Sequence, residues 1–292
     1  MLKLALKKGN CPCAVEQCTR NREALPMNAM SYTQHFPHVF HIRDSMGVYM
    51  TLLTGEREAL LVDTGYGLED VQKYVRTLTD KPLRVLLTHA HHDHALGSMW
   101  FEESCMFASD LPYFPVYTGA QQRETVKTQA AGKGLCAPAD FITRPIPTPQ
   151  SAKEETLDLG GLTAQILPCP GHTPGSCVVY VHEYRLLLSG DDWNPCTWLF
   201  FPEALGAEEY LANVRALLQL PFTHVLCSHR ELLYPRNMME AFLSGITEDA
   251  LRNARPVSLR PPIDSREAVP APDQQFVFDY QKTALFHKEE RQ

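Results

Sequence analysis

Ten residues, from Thr88 to Gly97, read Thr-His-Ala-His-His-Asp-His-Ala-Leu-Gly. Within them His89, His91, Asp93 and His94 take the spacing H-x-H-x-D-H. Neutral imidazole and carboxylate are the ligands that a borderline divalent cation such as zinc prefers. His89 and His91 are two apart, so on an extended segment leaving a strand they point the same way. Asp93 and His94 follow where a helix could start, and so can face a second ion. The plain alternative is a solvated, histidine-rich turn. One or two histidines would fit that reading, but four ligand-type residues at this spacing argue against it.

Three more residues of the same chemical type stand far along the chain, each just past an apolar run or on the loop that leaves one. His172 lies in Pro168-Cys169-Pro170-Gly171-His172-Thr173-Pro174-Gly175-Ser176, a tight loop between two predicted strands. Asp191 follows Leu186-Leu187-Leu188-Ser189-Gly190, and His229 follows Val225-Leu226-Cys227-Ser228. Loops leaving the carboxyl ends of strands are where α/β-type folds place their chemistry. Five histidines and two carboxylates are too many ligands for one tetrahedral ion. They suit two ions that share an oxygen ligand.

The elements that must carry these residues are legible from residue 38 onward. Val39 to Ile42, Val48 to Leu53 and Ala59 to Val62 read as strands, the last stopping at Asp63-Thr64-Gly65. Val71, Tyr74, Val75 and Leu78 mark one face of a helix, and Leu83 to Thr88 is the strand that feeds the histidine cluster. Ser98 to Glu103 reads as the end of a helix, and Cys105 to Ala108 as a short strand. The segment 110–151 shows little periodicity. Such a stretch in a compact domain is either functional, as a lid, or a surface excursion with its own small helix. Thr156 to Leu159 and Leu162 to Leu167 flank Gly160-Gly161 as a hairpin. Cys177 to Val181 and Arg185 to Leu188 form another strand pair. A helix over Glu208 to Leu218, a strand over Thr223 to Cys227, a helix over Met238 to Ile246 and a last strand over Gln275 to Phe278 follow. Strands alternating with helices point to a covered sheet rather than an all-β fold.

Bulk properties narrow the class. At 292 residues with 44% hydrophobic and 21% charged, the chain is an ordinary globular protein. A net charge of −7 leaves no basic footprint for nucleic acid. No apolar run approaches the roughly 20 residues that cross a bilayer, so no membrane role is expected. The nine cysteines, an odd number scattered along the chain, read as free thiols of a reducing compartment, which makes the expected location cytoplasmic. Residues 1–30 read as a loosely ordered N-terminal extension, since Cys11-Pro12-Cys13 and Cys18 lack a nearby fourth ligand for a metal knuckle. Residues 31–292 read as one domain, and whether it works alone or as a homodimer stays open.

Taken together, Asp63-Thr64-Gly65, His89-x-His91-x-Asp93-His94, His172, Asp191 and His229 occur in the order of the metallo-β-lactamase superfamily, which the chain resembles over roughly residues 38 to 235. The resemblance implies an α+β fold, a four-layer αββα sandwich with a dinuclear site at one edge. It implies that His89, His91 and His172 hold one ion, that Asp93, His94 and His229 hold the other, and that Asp191 bridges them. The ions would be two divalent metals, zinc first, with iron or manganese as alternatives. Asp63 resembles the family's buttressing carboxylate, which orients a ligand histidine, although it could equally just start a turn. A hydroxide held between two such ions would attack a carbonyl or phosphoryl centre, with Asp93 orienting it. Tyr113, Tyr117, Asp192 and Tyr210 are leaving-group acids by residue type only, and His92 and His224 read as bystanders.

True metallo-β-lactamases generally lack a bridging aspartate, so Asp191 makes the chain look more like the superfamily's thioesterases and lactonases. The Ser189-Gly190-Asp191 context and its distance from His172 resemble hydroxyacylglutathione hydrolase, although Arg252, Arg255 and Arg260 are too dispersed for a glutathione-binding cluster. Aromatic residues over 110–117 and 193–201 suggest a small, partly apolar acyl substrate: an ester, thioester or lactone. A phosphodiesterase of the same fold and a mononuclear iron persulfide dioxygenase are the alternatives. A purely structural metal site would not need the bridging carboxylate.

Overall fold

The computed structural model describes residues 30–259 and 263–283. The expectation for the N-terminal extension and its three cysteines falls outside the described residues. Strands β1 (Ser31–Phe36), β2 (Val39–Arg43), β3 (Tyr49–Thr54) and β4 (Ala59–Val62) form an antiparallel meander. Helix α1 (Val71–Val75), capped by Asp70 accepting from the Lys73 amide, crosses back to β5 (Leu83–Leu86), parallel to β4. After α2 (His92–Ala95) come β6 (Cys105–Phe107), α3 (Phe114–Thr118), α4 (Ala120–Gly132) and β7 (Gln150–Ala152), which complete a seven-stranded sheet in sequence order.

Next come β8 (Glu155–Asp158), β9 (Thr163–Pro168), β10 (Cys177–Val181), β11 (Leu186–Leu188), β12 (Cys196–Leu199), α5 (Ala207–Ala216), β13 (His224–Leu226) and β14 (Tyr234–Pro235). All of these strands except β12 form a second, six-stranded sheet in the order β14-β13-β11-β10-β9-β8. Helices α6 (Arg236–Gly245) and α7 (Glu248–Arg252) precede β15 (Arg255–Pro256), β16 (Ser265–Ala268) and β17 (Gln275–Asp279). These last three strands join β12 in a four-stranded sheet ordered β12-β17-β16-β15.

The two large sheets pack face to face, and period-two alternation decides which side chains meet between them. From the first sheet Val39, Leu53, Leu60 and Val62 point inward. From the second, Cys177, Val179 and Val181 of β10 join Ile166, Leu186, Leu188 and Leu226 in the same apolar layer. The intervening β10 residues, Val178 and Tyr180, face the opposite way into α5, α6 and the third sheet, meeting Tyr210, Val214, Phe242 and Phe276. A strand buried on both faces carries an unbroken apolar run, which is why Cys177 to Val181 shows no alternation. On the outer side of the first sheet, Met50, Leu52 and Leu61 receive Val71 and Val75 of α1 and Phe114 of α3. This is the expected αββα sandwich, with a small third sheet added. No helix among the described residues is long and apolar enough to cross a membrane.

The structure departs from or adds to the sequence reading at three points. The helix after Gly97 is a short 3₁₀ turn, Leu96–Trp100. Gly97 itself is obligatory, because a Cβ there would lie 2.0 Å from the Thr64 carbonyl oxygen. The segment 110–151, open in sequence between a lid and a surface excursion with its own small helix, carries the two helices α3 and α4. Helix α4 buries only Arg123, Val126 and Ala130, too thin a stripe to register as an apolar period. Its buried Arg123 donates to the carbonyls of Thr118, Phe141, Ile142 and Arg144, tying the helix to the loop that follows. The third sheet escaped notice because its strands are two to five residues long. Moreover, β12 pairs with β17, far away in sequence.

At the edge where β4, β5, β11 and β13 end, the sheets are tied to one another. Cys177 N donates to Thr88 O at 3.0 Å, and Tyr49 N to Ser228 O at 2.8 Å. From the first sheet, the His41 ring donates from Nε2 to Arg230 O at 3.0 Å and accepts from Thr51 Oγ1 at Nδ1, also at 3.0 Å. That arrangement requires a neutral ring, and burial pushes its pKa from near 6.5 down to about 4. The unfolded chain takes up this proton near pH 6.5 and the folded chain only near 4. Stability from His41 is therefore complete above about pH 6.5 and drains away as pH falls toward 4, by roughly 2–3 kcal/mol. Urea unfolding of the chelator-treated protein at pH 7.5 and 4.5 should show this loss, and His41→Gln should reduce the difference between the two pH values by a comparable amount.

Candidate metal centre

Each of the seven sequence-derived candidates leaves the end of a strand or the loop after it, and all seven arrive at one place. Three groups have ligand atoms within 4.8 Å of one another: His89, His91 and His172; His89, His94 and Asp191; and Asp93, His94 and His229. Asp191 Oδ2 lies 3.6 Å from both His94 Nε2 and His172 Nε2 and 2.9 Å from His229 Nε2, between the first and third groups. Asp93 Oδ2 is 3.8 Å from His94 Nε2 and 3.7 Å from His229 Nε2. His92 and His224 belong to none of these groups. His92 faces the Tyr66 and Tyr117 rings, and His224 sits on β13 against Thr223 Oγ1.

Hydrogen bonding fixes which nitrogen of each buried ring keeps its lone pair. The Thr88 hydroxyl donates to Asp63, so it accepts from His89 Nδ1–H at 3.0 Å and leaves His89 Nε2 bare. His94 Nδ1–H donates to Asp63 Oδ2 at 2.8 Å, His172 Nδ1–H to Trp198 O at 2.8 Å, and His91 Nε2–H to Glu203 Oε1 at 2.7 Å. The unprotonated atoms, His91 Nδ1 and His172 Nε2, then face each other at 2.9 Å. Two lone pairs at that separation repel, and a cation between them reverses the sign. His89 Nε2, His94 Nε2 and Asp191 Oδ1 are also buried without a hydrogen-bond partner. Buried polar atoms need partners, and this donor set fits divalent metal.

Charge divides the centre in two. Burial drives the His89 pKa well below its usual range and that of His172 down to about 4, with neighbouring imidazoles adding to both. Burial opposes charge on His94 and His229 as well, but Asp191 outweighs it, joined by Asp63 and Asp93 at His94 and by Asp93 at His229, and raises both. Burial likewise opposes ionisation of Asp191 and Asp93. The adjacent rings, led by His229 and His94 at Asp191 and by His94 and His92 at Asp93, hold Asp191 well below the carboxylate range and Asp93 at about 2.

Asp63 does more than start a turn. It adopts a left-handed φ of 66°, a strained conformation for a residue with a Cβ. Its carboxylate accepts from the Thr88 amide and hydroxyl and from His94 Nδ1, and so orients two of the rings. Two other carboxylates were not anticipated from sequence. Buried Asp110 accepts from Ala90 N, Gly175 N and Thr173 Oγ1, locking the His89–His91 segment to the His172 loop. Glu203 holds His91 and also accepts from the Tyr117 hydroxyl. Neither belongs to a recognisable spacing, so only proximity in the fold reveals them. Of the four leaving-group candidates, Tyr210 is fully buried and donates to Asp192 O, Asp192 is itself buried, and Tyr113 packs onto the first sheet. Tyr117 is engaged with Glu203.

Beside the rings runs a strip of aromatics. The Phe201 ring lies 4.4 Å from His91 and 5.2 Å from His172, Phe200 stacks on Phe201 at 4.8 Å, and Trp198 lies 5.4 Å beyond Phe200. Trp198 is 49% exposed, so the strip leads from the centre to solvent.

Comparison with known proteins agrees with this geometry. The sequence profile of the metallo-beta-lactamase superfamily matches residues 43–229. Among curated proteins the chain is 25% identical over 190 residues to acyl-coenzyme A thioesterase MBLAC2 of Gallus gallus, covering 58% of this chain and 66% of that one. It is 28% identical over 196 residues to hydroxyacylglutathione hydrolase of Nitrosomonas eutropha, covering 67% and 66%. Against the probable metallo-hydrolase YybB of Bacillus subtilis it is 29% identical, covering 70% and 86%. Among solved structures, a metallo-beta-lactamase from Pontibacter korlensis aligns with TM-score 0.52 at 16% identity, over 74% of this chain and 98% of that one. The sec-alkylsulfatase Pisa1 of Pseudomonas sp. aligns with TM-score 0.56 at 13%, over 75% and 40%. At these identities the structural likeness concerns the fold alone. The chain belongs to the metallo-β-lactamase superfamily.

Proposed function

We propose that this protein is a dinuclear hydrolase of small acyl thioesters, esters or lactones whose acyl part is partly apolar. The observation that carries the proposal is the set of ring nitrogens and carboxylate oxygens converging from both sheets, with His89, His91, His94 and His172 each turned by a partner outside the ligand set. His89, His91 and His172 would hold one ion, Asp93, His94 and His229 the second, and Asp191 would lie between them; zinc is the metal this donor set suits best. Two divalent ions there supply an activated water at neutral pH and an electrophilic contact for the substrate oxygen. Asp93 would orient the attacking water by accepting a hydrogen bond from it, and Asp63 keeps His94 Nε2 turned inward. The Phe201–Phe200–Trp198 strip offers an apolar surface from the rings to solvent, suited to an acyl chain. Two relatives are named for thioester or acylglutathione substrates, which favours a thioester within this class. The net charge of −7 weighs against a phosphodiester polyanion.

Metal analysis beside a panel of thioesters, lactones, β-lactams and phosphodiesters tests this. The expected result is about two zinc ions per chain and turnover led by acyl thioesters. A single iron per chain with oxygen consumption would replace the reading with an oxidative one. His172→Ala and Asp191→Ala should each lose hydrolysis by at least about a hundredfold and bind less metal while keeping the parental circular dichroism. Full activity in Asp191→Ala would contradict its place between the ions. Trp198→Ala should raise KM for a long-chain acyl thioester about fivefold and leave an acetyl thioester unchanged. Equal effects on both chain lengths would remove the strip from substrate recognition.

A further inference from the structure

We propose that Glu203, steadied by Tyr117 and by Lys282, is a positioning residue that sets the metal affinity of the His89–His91–His172 half of the centre. The proposal rests on a metal ion occupying that half. Glu203 Oε1 accepts from His91 Nε2 at 2.7 Å and from the Tyr117 hydroxyl. The Glu203 side chain is 3% exposed and that of His91 4%, and His91 is the ion-pair partner of Glu203 among the described residues. A buried carboxylate is costly unless positive charge offsets it; the Lys282 ammonium supplies some from behind, and a cation on the far side of the His91 ring would supply more. His91 Nδ1 is on that far side, facing His172 Nε2. A ring N–H donated to a carboxylate fixes the tautomer and makes the opposite nitrogen a stronger ligand.

Asp63 and Glu203 play matched parts, one outside His94 and the other outside His91.

Lys282 supports Glu203 from behind. Its ammonium donates to Phe201 O at 3.0 Å and to Pro202 O and Ala204 O at 2.7 Å each, the carbonyls on either side of Glu203. It follows β17, which pairs with β12 just before this loop. Lys282 lies beyond residues 43–229, so a part of the chain outside the superfamily match shapes the metal centre. Tyr117 brings in α3 from the other side, so two segments without a ligand of their own meet at His91.

The test uses the full chain, stripped with chelator and titrated with Co2+ against a competing dye, with the visible absorption of the bound Co2+ recorded. Glu203→Leu should weaken binding of one Co2+ per chain about 10- to 100-fold and shift its spectrum, and Glu203→Gln, which keeps an acceptor oxygen, should lose less. Tyr117→Phe should fall between Glu203→Gln and the parent. The Tm of metal-free Glu203→Gln should stay within a few degrees of the parent. Parental Co2+ affinity and spectrum in a folded Glu203→Leu would overturn the proposal. So would an affinity loss in Glu203→Gln that is matched by a collapse of its metal-free Tm, which would make the role structural. A parent chain that takes up no Co2+ would instead overturn the dinuclear reading, and this proposal with it.

Discussion

The organising constraint is the 2.9 Å approach of two unprotonated ring nitrogens, His91 Nδ1 and His172 Nε2. Each ring has given its N–H away, to Glu203 and to the Trp198 carbonyl, so neither can satisfy the other. His89 is in the same state, turned by Thr88, and Asp63 turns the His94 ring in the same sense. Such crowding is unfavourable for neutral protein groups alone and becomes favourable around positive charge. The fold therefore holds the centre in a form that a metal completes, and the outer partners do the holding.

That holding draws on both large sheets and on what surrounds them. His89, His91, Asp93 and His94 follow β5 of the first sheet, whereas His172, Asp191 and His229 come from loops of the second. A slip of one sheet against the other would pull the two sets apart. The slip is resisted by the shared apolar layer and by direct ties at the site edge, Cys177 N to Thr88 O and Tyr49 N to Ser228 O. Asp110 adds a third tie through Ala90, Thr173 and Gly175. The last ligand loop is held from outside as well. Thr33 Oγ1 donates to Glu231, His35 bonds to the Glu231 carbonyl and His41 to that of Arg230. In this way β1 and β2 position His229 although neither bears a ligand.

The aromatic strip and the Glu203 support share one segment, 198–203. Trp198 contributes its carbonyl to His172 and its ring to the solvent end of the strip, while Phe201 packs on His91 two residues before Glu203 binds the same ring. On the two proposals above, metal affinity and substrate preference would both depend on this short loop, which Lys282 clamps.

The sequence by itself determined the seven ligand-type residues, because H-x-H-x-D-H is a local pattern and His172, Asp191 and His229 each follow an apolar run that can only be a buried strand. It also determined many of the strands, since apolar runs such as those of β3, β4 and β10 are dictated by their own side chains, whereas their division into two facing sheets was only implied by the family resemblance. Asp63 was legible as a turn carboxylate and the resemblance implied a buttressing role, but which ring it holds was not legible. What lay out of reach depends on partners distant in the chain. Helix α4 buries too few apolar residues to show a period, and the third sheet exists only because β12 finds β17. Glu203, Asp110 and Lys282 act across separations of 112, 65 and 81 residues. A single carboxylate or ammonium carries no pattern until the fold places something beside it. Spacing along a strand chooses ligand types, whereas the tautomer of each ring is set by a hydrogen bond from another part of the molecule, and only the tertiary structure decides that.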